Sequence, residues 1–394
     1  MSQDASSRAS ARLLYLITGF FWLSQYAFTP YINKELARMG MNATFMGLVA
    51  GGYGLSQTLL RLPLGIWSDR LGRRKPFVMA GSGVVTLAAA GYLLAYTPWG
   101  FLVSRLLGGA AAASWVAFTV MYSGYFPKEE GPRRITDLNV ANITGRLAGY
   151  VLVTGLLIFL SVKVSFVVSL VAGALAFVLA LGLGEPGLER AGTGLQDIAR
   201  VARNRYLLIV SFLGILTQWV AFSSYYSFNV NAAMALGAGE WELSMLQVAL
   251  IVPNILANLW ASRQLARGAS ARGLVVAGFL LVFLYALLVP LAGSLPQLFL
   301  LQPLGGISSS LTFAVLLGQC VRDIAPGQRS MAMGFYQATY GIGMTLGPIT
   351  MGMMVDNMGL KGAFFVIAGL ALVSAVLAMW LMKPKETASI PRPR

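Results

Sequence analysis

Arg146 and Asn142 carry the most chemical information in this chain. They stand one helical turn apart, on one face, inside an apolar run that begins near Ile135. Arg146 is eleven residues into that run, ~16 Å along a hydrocarbon layer of ~30 Å and so close to its middle. From that depth a guanidinium does not snorkel to the headgroups. A cation and an amide aimed at one place suit recognition of an anionic or strongly hydrogen-bonding group, and an ionisable side chain at such depth is functional by default. The plainer use of the same pair is a buried interhelical network. Arg105, six residues into the run that starts near Trp99, has the same two uses: ligand contact, or bonds to backbone carbonyls. Arg61 lies nearer the end of its run, and the sequence predicts that it snorkels and serves a gate or the structure.

Polar residues on otherwise apolar helices mark the candidate lining of a cavity. The first run supplies Gln25, Tyr26, Thr29 and Asn33, and the seventh Gln218, Trp219, Tyr225, Tyr226 and Asn229. Asn254 and Asn258 sit one turn apart in the eighth, and Tyr336, Gln337 and Tyr340 lie in the eleventh. Amides and phenols beside aromatic faces suit a ligand with both polar and apolar parts; some of these residues are expected to act as interhelical glue instead. The acids are placed differently. All 14 carboxylates fall in loops, tails or helix ends, and there is no histidine. A group that takes up a proton must then be sought at helix ends, with Glu35, Asp137 and Asp356 the nearest candidates. A single cysteine, Cys320, excludes an intrachain disulfide and a Cys-based metal cluster. No metal site or cofactor is implied.

These residues need apolar helices to hold them. Hydrophobic residues make up 57% of the 394 and charged ones 11%, with mean hydropathy +0.70, more apolar surface than a water-facing domain can carry. Twelve runs are long enough to span a bilayer, beginning near Leu13, Ala43, Pro76, Trp99, Ile135, Val164, Tyr206, Trp241, Gly273, Pro296, Ser330 and Gly362. The loops on the side of both termini hold most of the Lys and Arg, against Lys34, Arg38, Lys163 and Lys361 on the other side. By the positive-inside rule both termini are cytoplasmic. The first run has no clear small-residue cleavage site and reads as an uncleaved span. The net charge of +15 thus belongs to loops at a membrane surface, and no nucleic-acid partner is expected. The longest polar interval, 185–205, separates a bundle over 1–184 from a second over 206–394; its stretch Leu195–Ala202 has amphipathic spacing suited to a membrane surface or a plain connector. Gly145-x-x-x-Gly149 and Gly343-x-x-x-Gly347-Pro348 occupy corresponding places in the two halves, each after a Pro-containing loop, the mark of an internal duplication.

The loop after the second run reads Gly65-Ile-Trp-Ser-Asp69-Arg70-Leu-Gly72-Arg73-Arg74-Lys75. Its order, spacing and position resemble the loop signature of the major facilitator superfamily, and Leu102-x-x-Arg105-x-x-x-Gly109 resembles a second motif of that family. The resemblance covers the whole chain. It implies an all-α membrane protein of twelve transmembrane helices in two pseudo-symmetric six-helix bundles, working as a carrier by alternating access. It also implies that Gly65, Asp69, Arg70, Gly72 and Arg73 form a cytoplasmic latch that breaks during transport, and it associates Arg105 with substrate or proton coupling. The loop Ser262–Gly268 looks like a decayed copy without the Asp. The Gly-Pro motif of proton-driven drug exporters is missing from the fifth run, so the subfamily stays open.

The expectation is a multi-pass protein of the inner (plasma) membrane, a monomer, carrying a small organic solute with an anionic or hydroxyl-rich group. A multidrug/proton antiporter and a lipid flippase are the alternatives. The partners expected are the substrate, the bilayer and a coupling ion, proton or counter-anion. No nucleophile–base–orienter set or phosphate loop points to an enzyme.

Overall fold

The computed structural model describes residues 2–127, 130–186, 200–325 and 328–382, and among these the secondary structure is wholly helical. Most of the amphipathic stretch Leu195–Ala202, together with Pro326, lies outside the described residues. The first part of the chain forms α1 (Ser2–Tyr26), α2 (Ile32–Arg38), α3 (Ala43–Leu71), α4 (Lys75–Leu94), α5 (Pro98–Ala113), α6 (Trp115–Ser123), α7 (Gly131–Leu156) and α8 (Lys163–Leu181). The second forms α9 (Arg205–Ser223), α10 (Asn229–Ala235), α11 (Glu240–Ala266), α12 (Ala271–Leu288), α13 (Leu295–Ser309), α14 (Val315–Gln319) and α15 (Arg329–Leu381). Eight helical stretches among the described residues are long and apolar enough to cross a bilayer. The outer surface fits that solvent: Phe159 is 84% and Trp380 79% exposed, a poor face to turn to water and a good one for hydrocarbon.

Local chemistry sets the helix ends. Asn42, Thr97, Asn204 and Ser270 each accept a backbone N–H three residues on, at the starts of α3, α5, α9 and α12. Gly72, at φ 65°, ends α3 in the left-handed turn that glycine adopts without strain. Gly359, at φ 77° and ψ 166°, breaks α15 into two helices. The sequence places two separate runs there, and only this residue divides them.

Two glycine-mediated contacts decide where the helices lie. Along α3, Gly47, Gly51 and Gly54 press on α15. A Cβ added to Gly47 would stand 2.1 Å from the Pro348 carbonyl oxygen, and one on Gly352 of α15 would stand 2.2 Å from the Ala43 oxygen. Small residues allow this approach, and packing rather than water exclusion holds helices together in lipid. In α7, Gly145 lies against Gly19 of α1, and in α15, Gly343 lies against Ile215 and Trp219 of α9. The two Gly-x-x-x-Gly motifs therefore do equivalent work, each seating its helix on the first long helix of its own half.

Polar ties between the first and second parts gather at one end. Asn33 donates to Asn231 (2.7 Å) and to the Ser227 carbonyl (3.2 Å). Arg38 bridges Glu35 (2.6 Å) and Glu240 (2.9 Å), and Lys34 stands 3.4 Å from Glu240. Asp356, in the last turns of α15 before the break, accepts the Ala43 N–H (3.0 Å), the Thr44 N–H (2.8 Å) and the Thr44 hydroxyl (2.5 Å), so it caps the start of α3 from the other part of the chain. These ties make this the sealed end of the molecule.

Candidate functional site

The seating of α7 on α1 brings the guanidinium of Arg146 over the ring of Tyr26, with Cζ 4.1 Å from the centroid. Tyr26 meets Tyr150 edge-on, and the Tyr150 hydroxyl lies 3.1 Å from Thr29 Oγ1. Tyr53 and, from the second part of the chain, Tyr226 also lie within electrostatic reach of Arg146. Arg105 sits in the same way over Tyr53, at 4.5 Å. Tyr53 is in turn an electrostatic neighbour of Tyr26, Arg61 and Tyr340. Arg61 is 3% exposed. It donates to the Tyr340 hydroxyl at 2.9 Å and, more weakly, to the Ala112 carbonyl at 3.4 Å. Arg61 does not snorkel, contrary to the expectation from its depth; it crosses between the two parts of the chain. One cluster therefore holds three guanidiniums and a shell of tyrosines.

The charge of this cluster is unbalanced. Among the described residues no carboxylate pairs with Arg61, Arg105 or Arg146, and the Nε of each is buried without a hydrogen-bond partner. A ring face under an arginine contributes ~0.5–2 kcal/mol, whereas an arginine at mid-membrane costs ~2.5–3.5 kcal/mol on insertion scales. The rings cover part of that cost for Arg105 and Arg146. An anion entering the cluster would cover the rest.

The other expected lining residues divide. Asn142 is half-buried one turn before Arg146, and Asn258 and Gln337 are half-buried on α11 and α15. Gln25 is buried, donates to the Gly108 carbonyl at 2.6 Å and leaves its own oxygen unpartnered. Asn254 donates to the Gly306 carbonyl (3.0 Å) beside the π-helical stretch Ser310–Ala314. Asn229 is fully buried and donates to Gln302 at 3.4 Å. Tyr225 is 1% exposed, set between Tyr226 and Tyr285, and Tyr336 is 0% exposed, packed on Gly214. These last three lie within the packing of the second part of the chain, where Tyr225 and Tyr336 back Tyr226 and Tyr340 of the arginines' ring shell. Asn33 belongs to the sealed end. Of the acids singled out at helix ends, Glu35 and Asp356 serve the sealed end, and Asp137 accepts from Arg134 at 3.2 Å.

At the end of α3, Asp69 pairs with Arg74, which also donates to Ser68 Oγ at 2.6 Å and is 3% exposed. Arg70 and Arg73 are exposed. Gly72 makes the turn. Gly65 has room for a side chain, since an added Cβ would meet nothing nearer than Val116 at 3.9 Å. Glu185 accepts the backbone N–H groups of Arg74 (2.5 Å) and Lys75 (3.0 Å), a cap on α4 that sequence reasoning missed because 110 residues separate it from Lys75.

The sequence matches the family profile described as Major Facilitator Superfamily over residues 13–239 and 225–394. The chain belongs to the Major Facilitator Superfamily. It is similar to an MFS-type transporter of Methanocaldococcus jannaschii, with 22% identity over 363 residues, 89% of this chain and 92% of the relative. Its fold is similar to a bacterial homolog of the human lysosomal transporter Spinster, solved inward-facing and unoccupied, with TM-score 0.79 at 14% identity over 95% and 97% of the two chains. The nucleoside transporter NupG gives TM-score 0.76 at 16% identity over 98% and 100%. As a facilitator of this superfamily the chain is a multi-pass secondary transporter of the alternating-access fold with a small-molecule cargo. The residue whose contacts sequence reasoning missed in this facilitator is Arg61, which bonds across the two parts of the chain. Its signal was present, an arginine inside an apolar run, but its partner Tyr340 is 279 residues away.

Proposed function

We propose that the protein carries a small organic anion across the inner (plasma) membrane and that Arg146, Arg105 and Asn142 receive its anionic group. The observation that carries this reading is the set of guanidiniums without a carboxylate partner among the described residues, set against aromatic faces. Tyr26, Tyr53 and Tyr226 would take the apolar part of the cargo. Asn258, Gln337 and Tyr340 are further lining candidates, while Gln25, Tyr225, Asn229, Asn254 and Tyr336 act mainly by holding helices together.

The chain crosses the membrane twelve times in this reading: α1 with α2, α3, α4, α5 with α6, α7, α8, α9 with α10, α11, α12, α13 with α14, and the two parts of α15 on either side of Gly359. Two six-helix bundles, 1–184 and 206–394, are related by pseudo-symmetry. The matching roles of Gly145 and Gly343 support the duplication, as do the left-handed glycines Gly72 and Gly268 that follow α3 and α11. Both termini are cytoplasmic, which puts the cation-rich loop 70–75 inside and the sealed end outside. The conformation is then open to the cytoplasm, and the Asp69 loop is a latch that engages in the other state.

The rings of the cluster favour a second reading, a multidrug/proton antiporter. That reading needs a carboxylate beside the arginines, and Glu35, Asp69, Asp137, Glu185 and Asp356 bond elsewhere. The deciding experiment is binding to the purified transporter. Arg146→Ala is expected to shift stabilisation by organic anions to at least tenfold higher concentrations while its own melting temperature stays near wild type. Wild-type affinity in that variant rules out the role of Arg146.

A further inference from the structure

We propose that the cargo carries two anionic groups on a ring-sized apolar body, and that it moves only in exchange for another anion of that kind. This rests on the anion-carrier reading above.

The first half of the inference comes from counting unmet charges. Arg61 has two protein acceptors, the Tyr340 hydroxyl and the Ala112 carbonyl. Arg105 and Arg146 have ring faces, Tyr53 and Tyr26. Those two rings are themselves electrostatic neighbours, so the two under-served guanidiniums flank one aromatic surface. A monoanion neutralises one of them and leaves the other desolvated. A dianion with its charges on opposite sides of an apolar body meets both and lays that body on Tyr26 and Tyr53.

The second half comes from what must happen when the carrier closes. In alternating access the two bundles shut around the site before it opens to the far side. Closing on the empty cluster would strip water from cations that have no anion beside them. The side chains that face the cluster are Tyr26, Tyr53, Tyr92, Tyr150, Tyr226 and Tyr340, with no carboxylate among them. Among the described residues Glu35 bonds to Arg38, Asp69 to Arg74, Asp137 to Arg134, Glu240 to Arg38, Glu185 to the start of α4 and Asp356 to the start of α3, while Glu242, in the first turn of α11 beside Glu240, keeps one buried oxygen unpartnered. There is no histidine in the chain. No carboxylate or imidazole stands in the cluster to replace the cargo's charge, so the loaded carrier crosses readily and the empty one does not. The consequence is obligatory anion exchange, with a proton gradient driving nothing.

Isophthalate and benzoate test both halves, because they share a ring and differ by one carboxylate. With the full-length purified protein, isophthalate is expected to raise the melting temperature at concentrations at least tenfold lower than benzoate. Arg105→Ala should bring the two ligands level, and Arg105→Lys should restore part of the difference, which keeps the test readable if the alanine variant folds poorly. In proteoliposomes loaded with radiolabelled isophthalate, efflux is expected to require isophthalate outside and to ignore an uncoupler. Equal stabilisation by benzoate and isophthalate overturns the dianion inference and leaves the anion carrier standing. Efflux into anion-free buffer, or efflux driven by a pH gradient, overturns the exchange inference alone. Stabilisation by neither ligand, with Arg146→Ala indistinguishable from wild type, overturns the anion reading as well.

Discussion

At the scale of single residues, the account turns on guanidiniums whose neighbours are rings. Replacing Arg146 with alanine removes a charge-assisted contact, of the kind that contributes ~1.5–3 kcal/mol, so anion affinity should fall roughly ten- to hundredfold by titration calorimetry. Arg146→Lys should recover only part of it, because an ammonium keeps the charge and loses the planar fork. Tyr340→Phe tests Arg61 differently. It removes one acceptor from a buried cation, and about 1–3 kcal/mol of stability should go with it, read as a lower midpoint of thermal unfolding in detergent. An unchanged midpoint would mean that water replaces the hydroxyl. The sequence made Arg146 legible because depth in an apolar run is read by counting, and an arginine at mid-depth needs a reason. It made Tyr225 and Tyr336 look like lining because counting gives depth but not azimuth. Without the neighbouring helices, the face toward a cavity and the face toward Tyr285 or Gly214 are the same face.

At the scale of helices, the glycines of α3 and α15 set how near the two parts of the chain come. Gly341 faces Thr58 so closely that an added Cβ would stand 1.8 Å from its hydroxyl, and Gly51 faces the Thr345 carbonyl at 2.5 Å. Gly51→Leu should therefore prop α3 from α15, at the ~1–3 kcal/mol typical of overpacking, and shift the carrier away from the sealed-end-closed state. Accessibility of a cysteine placed at Asn33, measured with a membrane-impermeant thiol reagent in a Cys320→Ala background, should rise. Unchanged accessibility would show that the glycine contacts do not control closure. These contacts were half legible: the Gly-x-x-x-Gly spacing in α7 and α15 marked a seam, while the partners across it, Gly19 and Ile215, carry no comparable pattern. The break at Gly359 was legible as a boundary between runs, since hydropathy falls there, but its left-handed backbone was not.

At the scale of the whole molecule, the ties at the sealed end are what the carrier must break to turn over. Asp356 caps α3 with three acceptor contacts across the two parts of the chain. Asp356→Ala should release a few kcal/mol of closure and move the population toward opening at that end, seen by spin-label distances between α2 and α10 as growth of a longer component. A distance distribution identical to wild type would assign closure to the Arg38–Glu240 pair instead. The all-α, multi-pass character and the superfamily could be read from apolar runs and the motif after the second run, because each is local. The cluster could not, because Arg61, Arg105, Arg146 and Tyr340 come from four helices and meet only once the halves are packed.

The claim beneath all of this is that a negatively charged cargo completes that cluster, and a crystal of the protein grown with 5-iodoisophthalate tests it most directly. The anomalous signal of the iodine should lie beside Tyr26 and Tyr53, with a carboxylate within hydrogen-bonding distance of Arg146 and the other beside Arg105. Iodine density elsewhere at saturating ligand, with both guanidiniums unchanged over their rings, would contradict it.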